Sequence, residues 1–296
     1  MIRLGPAGWA YDDWQGVVYP EKRPRGFDPL EYLARYFDTI EVNSTFYHPA
    51  RPDVARRWAH RVRDNPDFRF TTKLWRRFTH ERERALSRDE IDTARAALDE
   101  LADAGRLGAV LVQFPWSFKA GEKRREWLGD ILSAFDDLPL VVEVRHASWN
   151  RPEFYRWLAE RGVGFVNIDQ PIFNRSIEPS AQATSPVGYV RLHGRNYEDW
   201  FREDAGRDAR YDYLYGREEL EPWADRVREL ASGGRVEDIY VVTNNHYRGQ
   251  SVANALMLSA MIRRERPKAP EVLVRAFDGL LGDLVEVDAG PQTRLV

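Results

Sequence analysis

Leu140-Val141-Val142-Glu143-Val144-Arg145-His146 alternates between apolar and charged positions as it nears its C-terminal end. Strand side chains point to opposite faces with period two. Leu140, Val142 and Val144 therefore share one face, and Glu143 and Arg145 the other. Six further short apolar runs repeat the pattern, with Glu41 and Asn43, Thr71 and Lys73, Gln113, Asn167 and Asp169, Arg191 and His193, and Asn244 at the second positions. In a closed barrel of parallel strands this polar face is the lumen, and the polar groups crowd at its mouth. A purely structural barrel fills its lumen with Val, Ile and Leu. The pattern predicts a barrel and, with it, a site.

Working outward, strands are expected at 2–7, 39–43, 68–73, 109–114, 140–145, 163–169, 189–193 and 239–244. Helical segments separate them. Asp28-Pro29 supplies an N-cap and a proline at the first helical position. Val54, Trp58 and Val62 recur at four-residue spacing, and Ser87-Arg-Asp-Glu90 is a capping box ahead of Ile91, Ala94, Ala97, Leu98 and Leu101 on one face. Segments 123–135, 152–161, 216–230 and 251–264 are also helical in pattern. Alternating strands and helices imply right-handed βαβ units. The fold class is α/β, a TIM-type (β/α)8 barrel spanning 1–296 as one domain. An open dinucleotide-binding sheet is disfavoured, because Gly5-Pro-Ala-Gly8 does not match G-x-G-x-x-G. Residues 170–187 hold prolines and small polar residues without helical periodicity, so an irregular loop replaces the sixth crossover helix. The partly apolar tail, 267–296, is expected to pack on the barrel or on a partner.

Composition narrows the function classes. The 296 residues carry 44 basic and 47 acidic side chains, a net charge of −3, which argues against tight nonspecific nucleic-acid binding. Cysteine is absent, which excludes disulfide and thiol chemistry. The opening Met1-Ile-Arg-Leu-Gly5 enters a strand without the basic and apolar regions of a signal peptide. No stretch is long and apolar enough for a membrane span. The expectation is a cytoplasmic protein with no membrane partner and an undetermined oligomeric state.

Three carboxylates, Glu41, Glu143 and Asp169, have lumen parity in this reading. Paired carboxylates perform acid/base or glycosidic chemistry. Lys73, Arg145 and Arg191 balance them in number, so an inert ion-pair network explains the same composition. Lysine is scarce, with five against 39 arginines, which makes Lys73 conspicuous. It could be a Schiff-base nucleophile, an anion contact or the partner of Glu41, and a polar-contact role is favoured over a nucleophile. His48, His80, His146, His193 and His246 fall at or just after strand ends. Proton transfer by His80, His146 or His193 is favoured over metal binding, since no tight ligand spacing is present. Trp9, Tyr11, Trp14, Tyr19, Trp75, Phe114, Trp116 and Trp149 form an aromatic rim, suited to sugar rings or nucleobases and equally to loop packing. Arg76, Arg77, Arg145, Arg191 and Arg195 are candidates for gripping phosphate or carboxylate.

As an ordered set these residues resemble a known family. Gly8-Trp9-x-Tyr11-x-x-Trp14-x-Gly16 with Tyr19-Pro20, Glu41-Val-Asn-Ser-Thr-Phe-Tyr47 and Lys73-x-x-Arg76-x-x-Thr79-His80 are similar to motifs of the YecE-like proteins, the domain of unknown function 72. Gln113-Phe-Pro115, Glu143-Val-Arg-His146-x-Ser-Trp149, Tyr189-Val-Arg-Leu-His-Gly194 and Asn244-Asn245 with Asn254-Ala255 extend the match over nearly the whole chain. The resemblance implies a TIM-type barrel and brings no activity. Ala7 stands where many relatives have Ser, which sets aside a hydroxyl role at that position.

The resulting expectation is an enzyme acting on a small polar, anionic or sugar-like molecule at the barrel's C-terminal mouth. Glu41, Lys73, His80, Glu143, His146, Asp169 and His193 are the catalytic candidates. Trp9, Tyr11, Asn43, Gln113, Arg145, Arg191, Asn244 and Asn245 are the substrate-binding candidates. No metal ligands are assigned, and the cofactor is unknown, a divalent metal being an open but not favoured choice. Two alternatives remain: a metal-dependent nucleic-acid-binding or endonuclease-like phosphodiesterase, which needs a basic rim and metal-ligand geometry, and a noncatalytic small-molecule-binding protein. The first rests on fold analogy alone.

Overall fold

In the computed structural model, which describes residues 1–200, 202 and 209–288, eight parallel strands form the expected barrel. They are β1 (Ile2–Pro6), β2 (Thr39–Val42), β3 (Arg69–Lys73), β4 (Leu107–Gln113), β5 (Leu140–Glu143), β6 (Gly164–Asp169), β7 (Val187–Leu192) and β8 (Asp238–Thr243). Hydrogen-bonded ladders run in the order β1-β8-β7-β6-β5-β4-β3-β2. A bridge between Ala7 and Glu41, with the Gly8 amide donating to the Glu41 carbonyl at 2.9 Å, closes the remaining seam. Gly5 makes that closure sterically feasible, because a Cβ there would lie 1.7 Å from the Thr39 carbonyl oxygen.

Local sequence explains the helices between the strands. Asp28 accepts hydrogen bonds from the Leu30 and Glu31 amides and opens helix Pro29–Leu33. Ser87 and Glu90 form the reciprocal capping box of helix Arg88–Asp103, whose Ala94, Ala97, Leu98 and Leu101 face the strands. Helices Pro52–Arg61, Glu122–Ala134, Pro152–Ala159, Arg217–Ser232 and Gln250–Arg263 complete the jacket. Residues 170–186 contain no helix, as the lack of periodicity predicts. That loop is tied down by side chains instead. Asn167 accepts from Ser180 Oγ and the Gln182 amide, each at 2.7 Å, and Thr184 accepts from the Phe165 amide at 2.8 Å.

After Pro267, β9 (Lys268–Pro270) pairs with β10 (Glu286–Asp288) around two short helices. Leu273, Leu281 and Val285 are fully buried in the same apolar cluster as Val252 and Leu256 of helix Gln250–Arg263. This packing accounts for a helix that is buried on nearly every side. Residues 289–296 of the expected tail lie outside the described residues.

Ladder register decides which faces line the lumen, because partnered residues in a parallel pair share a face. Glu41 pairs with Thr71, Thr71 with Ala109, and Gln113 with Glu143. Val141 pairs with Gly164, while Val166 and Ile168 pair with Tyr189 and Arg191. Ile168, not Asp169, therefore shares the face of Arg191. Asn167 and Asp169 point outward, which corrects the parity expected for β6.

Candidate active site at the barrel mouth

Arg191 is the hub of the lumen. Its Nη2 and Nε donate to Glu41 Oε1 and Oε2 at 2.6 and 2.9 Å, and its Nη1 donates to Glu143 Oε2 at 3.2 Å. Tyr189 Oη donates to Glu41 Oε2 at 2.8 Å and shares a hydrogen bond with Thr71 Oγ1. Arg145 Nε donates to Glu143 Oε1 at 3.0 Å. His193 Nε2 lies 3.1 Å from Glu143 Oε1, and Asn244 Nδ2 lies 3.2 Å from His193 Nδ1. One tautomer satisfies both contacts: His193 donates from Nε2 and accepts at Nδ1. Glu41, Glu143, Arg191 and His193 are all buried. The two carboxylates of Glu41 and Glu143 thus face the two guanidinium groups of Arg191 and Arg145.

Lys73 stands outside that balance. Its Nζ sits 4.0 Å from the centroid of the Phe46 ring, and it has no hydrogen-bond or ion-pair partner among the described residues. Burial, then the charge of Arg191, pulls its pKa down to about 7 against the opposing pull of Glu41 and Glu143. The Phe46 face favours the ammonium by about 0.5–2 kcal/mol. The amine titrates in the neutral to mildly alkaline range, far below an exposed lysine.

His80 and His193 are uncharged by comparison. Burial, assisted by Lys73, Arg145, Arg76 and Arg82, brings His80 down to about 3. Burial with Arg145 and Arg191 does the same to His193 against Glu143. Burial also opposes ionisation of Glu143, but His193, Arg191 and Arg145 hold that carboxyl well below its ordinary value. At neutral pH the mouth therefore contains an ionised Glu143 locked to arginines, neutral His80 and His193, and the Lys73 amine near its titration point.

A cavity of about 360 Å³ opens above this network. Of the expected residues, Trp9, Tyr11, Asn43, Lys73, Arg191 and Asn244 line it. Ser44, Tyr47, Tyr211 and His246 line it as well, and none of these four was among the assigned site residues. Tyr11 stacks on His246 with ring centroids 4.5 Å apart, and Tyr211 packs on the same imidazole at 4.7 Å. Together they form an aromatic wall. Ser44 and Tyr47 follow β2 within the Asn43–Tyr47 motif, so proximity to a strand end was a usable signal. Tyr211 comes from the β7–β8 connection, where no periodicity marks it. Gln170, buried with Nε2 donating to the Arg145 carbonyl at 3.3 Å, is another mouth residue the pattern did not single out. Among the described residues, the lining contains no carboxylate.

Several candidates fall elsewhere. Asp169 is held outside the barrel by Arg195 at 2.9 and 3.0 Å and by Trp223 Nε1 at 2.7 Å. Burial raises its pKa against the influence of Arg195. Asn245 bridges the Tyr213 carbonyl and Asn254, fixing the segment that ends at Tyr215. His146 accepts from the Ser148 amide and packs edge-on against Trp116, so it shapes the turn after β5. Gln113 and Arg145 have lumen parity but do not line the cavity; Arg145 lies 5.5 Å from the Trp200 ring. Among the described residues, no three His, Asp or Glu side chains converge in a way that could hold a metal ion. No described helix is long and apolar enough to cross a membrane.

Comparison with known proteins places this geometry in context. The family model described as "Protein of unknown function DUF72" matches residues 3–275. UPF0759 protein YunF of Bacillus subtilis is 28% identical over 278 residues, covering 88% of this chain and 95% of that protein. UPF0759 protein YecE of Escherichia coli K12 is 29% identical over 203 residues, or 67% of this chain and 65% of that one. Among solved structures, a DUF72 family protein from Thermotoga maritima superposes with a TM-score of 0.76 at 35% identity, covering 89% of this chain and 99% of that one.

Proposed function

This chain belongs to the DUF72 family, and from its barrel mouth we propose that it is an enzyme acting on a small anionic, polar or sugar-like molecule. The observation that carries the proposal is the cavity lining: Lys73 and Arg191 bring positive charge to it, and among the described residues no carboxylate lines it to oppose them. Glu41 and Glu143 lie beneath, where they hold Arg191 in one orientation. A guanidinium fixed in this way accepts an anion with little reorganisation. Asn43 and Asn244 orient hydroxyl or carboxylate oxygens, and the lining surfaces of the Trp9 and Tyr11 side chains accommodate a sugar ring or carbon chain. Lys73 is the reactive group of this reading, since burial and the charge of Arg191 bring its amine to about 7, where it is available as the free base.

Differential scanning fluorimetry with inorganic phosphate, pyruvate and ribose 5-phosphate, set against uncharged ribose, tests this reading. Anionic compounds should raise Tm while ribose at equal concentration does less. Asn244→Ala and Lys73→Met should each weaken binding about tenfold or more, the scale of one lost charge-assisted or buried hydrogen bond. Absence of any anion-dependent shift, or shifts unchanged in both variants, would count against the proposal.

A further inference from the structure

We propose that Lys73 is a covalent catalyst, its Nζ adding to the carbonyl carbon of an anionic aldehyde or ketone bound at the mouth and forming an iminium with it. This inference rests on the small-anion reading above and assigns the substrate class. Three geometric facts carry it. Lys73 lines the cavity, so a substrate carbon can reach the amine. The amine lacks a hydrogen-bond or ion-pair partner among the described residues, although Glu41 and Glu143 lie within electrostatic reach, because Arg191 and Arg145 already occupy those carboxylates. A lysine retained for stability would be paired, since an isolated buried ammonium is costly. The third fact is Arg191 itself: clamped beside the amine, it supplies the fixed cation that would seat the substrate's anionic group.

The groups surrounding Lys73 all bear on its titration. Arg191 and Arg145 favour the free amine, Glu41 and Glu143 favour the ammonium, and neutral His80 adds no charge. In the reaction, the nitrogen lone pair forms the C–N bond and the amine proton passes to the carbonyl oxygen, giving a carbinolamine. A proton from solvent at the open mouth lets that hydroxyl leave as water, and the iminium remains. The iminium withdraws electrons from the neighbouring carbon, so a C–H or C–C bond next to the former carbonyl is the one that breaks.

Borohydride trapping tests the proposal directly. The 296-residue chain is incubated at pH 7.5 with pyruvate, glyoxylate or glyceraldehyde 3-phosphate in the presence of sodium cyanoborohydride, and the modified lysines are quantified by peptide mass spectrometry. With five lysines in the chain, the adduct is readily localised. At this pH an amine titrating near 7 carries ~600-fold more free base than an exposed lysine. A lower-pKa amine is intrinsically less nucleophilic, so Lys73 should react at least about tenfold faster than exposed Lys22, Lys123 and Lys268 with one or more probes. Excess inorganic phosphate should slow that reaction, and Lys73→Arg should abolish it. If Lys73 reacts no faster than the exposed lysines with all three probes, the covalent role is wrong. Should phosphate still raise Tm in that case, the anion site survives without it; if phosphate has no effect either, both readings fall. The wild-type comparison decides the matter even if Lys73→Arg does not fold.

Discussion

Replacing Lys73 by methionine should stabilise the protein while removing ligand binding. An ammonium whose pKa falls from 10.5 to about 7 on folding costs the native state ~4–5 kcal/mol at pH values where both states carry the proton. Lys73 retains part of its surface in the open cavity, where water screens it, and the Phe46 ring offsets a further part. The working figure is therefore about 2–4 kcal/mol. Methionine is apolar and of similar length, and it breaks no hydrogen bond among the described residues, where Nζ makes none. The pH dependence has a definite sign. Below pH 7 the cost is fully present. Between pH 7 and 10.5 the native lysine sheds its proton while the unfolded chain keeps it, so wild-type stability rises by up to ~1.4 kcal/mol per pH unit relative to the variant. Urea denaturation followed by circular dichroism at pH 6.5, 8 and 9.5 measures this. Lys73→Met should be more stable at pH 6.5, and its advantage should narrow by pH 9.5. Equal or lower stability at pH 6.5, or an advantage that does not change with pH, refutes the argument that Lys73 is a desolvated, unpaired amine.

Acid should destabilise the wild type before its carboxylates titrate. His80 and His193 have folded pKa values near 3, so between pH 6.5 and 3 the unfolded chain takes up protons that the native state refuses. Urea midpoints should report a loss of about 2–4 kcal/mol between pH 6.5 and 4.5, reduced in His193→Gln; a flat profile there would contradict the neutral-imidazole assignment. Asp169→Asn should cost about 1–3 kcal/mol through its weakened contacts with Arg195 and Trp223, yet leave phosphate-induced Tm shifts intact, and loss of those shifts would return Asp169 to the site. Gly5→Ala should prevent correct closure of the barrel, read as insolubility or loss of more than about 3 kcal/mol, because the added methyl collides with backbone rather than with a movable side chain.

The parts of the fold that were legible in the sequence are those set by local rules. Period-two alternation marked the strands, and Asp28 and the Ser87–Glu90 pair marked two helix starts to the residue. The irregular 170–187 stretch correctly lacked a helix because no apolar stripe ran through it. Element ends were less visible: β4 begins at Leu107 and β5 ends at Glu143, since ladder pairing extends or stops according to the neighbouring strand. The site was legible where a polar residue ended a strand, as with Lys73, Arg191 and Asn244. It was hidden where a connection folds back over the mouth, as Tyr211 does.

Alternation alone determined that Asn167 shares a face with Asp169, and Arg191 with His193. It could not say which face is inside, because period two has no absolute phase. Only the register of β6 against β7, Ile168 beside Arg191, turned Asp169 outward. The same limit governed the charges. Counting inward groups gave three carboxylates and three bases in balance. In the folded barrel Asp169 is held by Arg195 outside, Glu41 and Glu143 are shared between Arg191 and Arg145 inside, and Lys73 is left over. The sequence determined a barrel with a polar mouth; the closed register decided which charges cancel, because electrostatic pairing acts over a few ångströms and not along the chain.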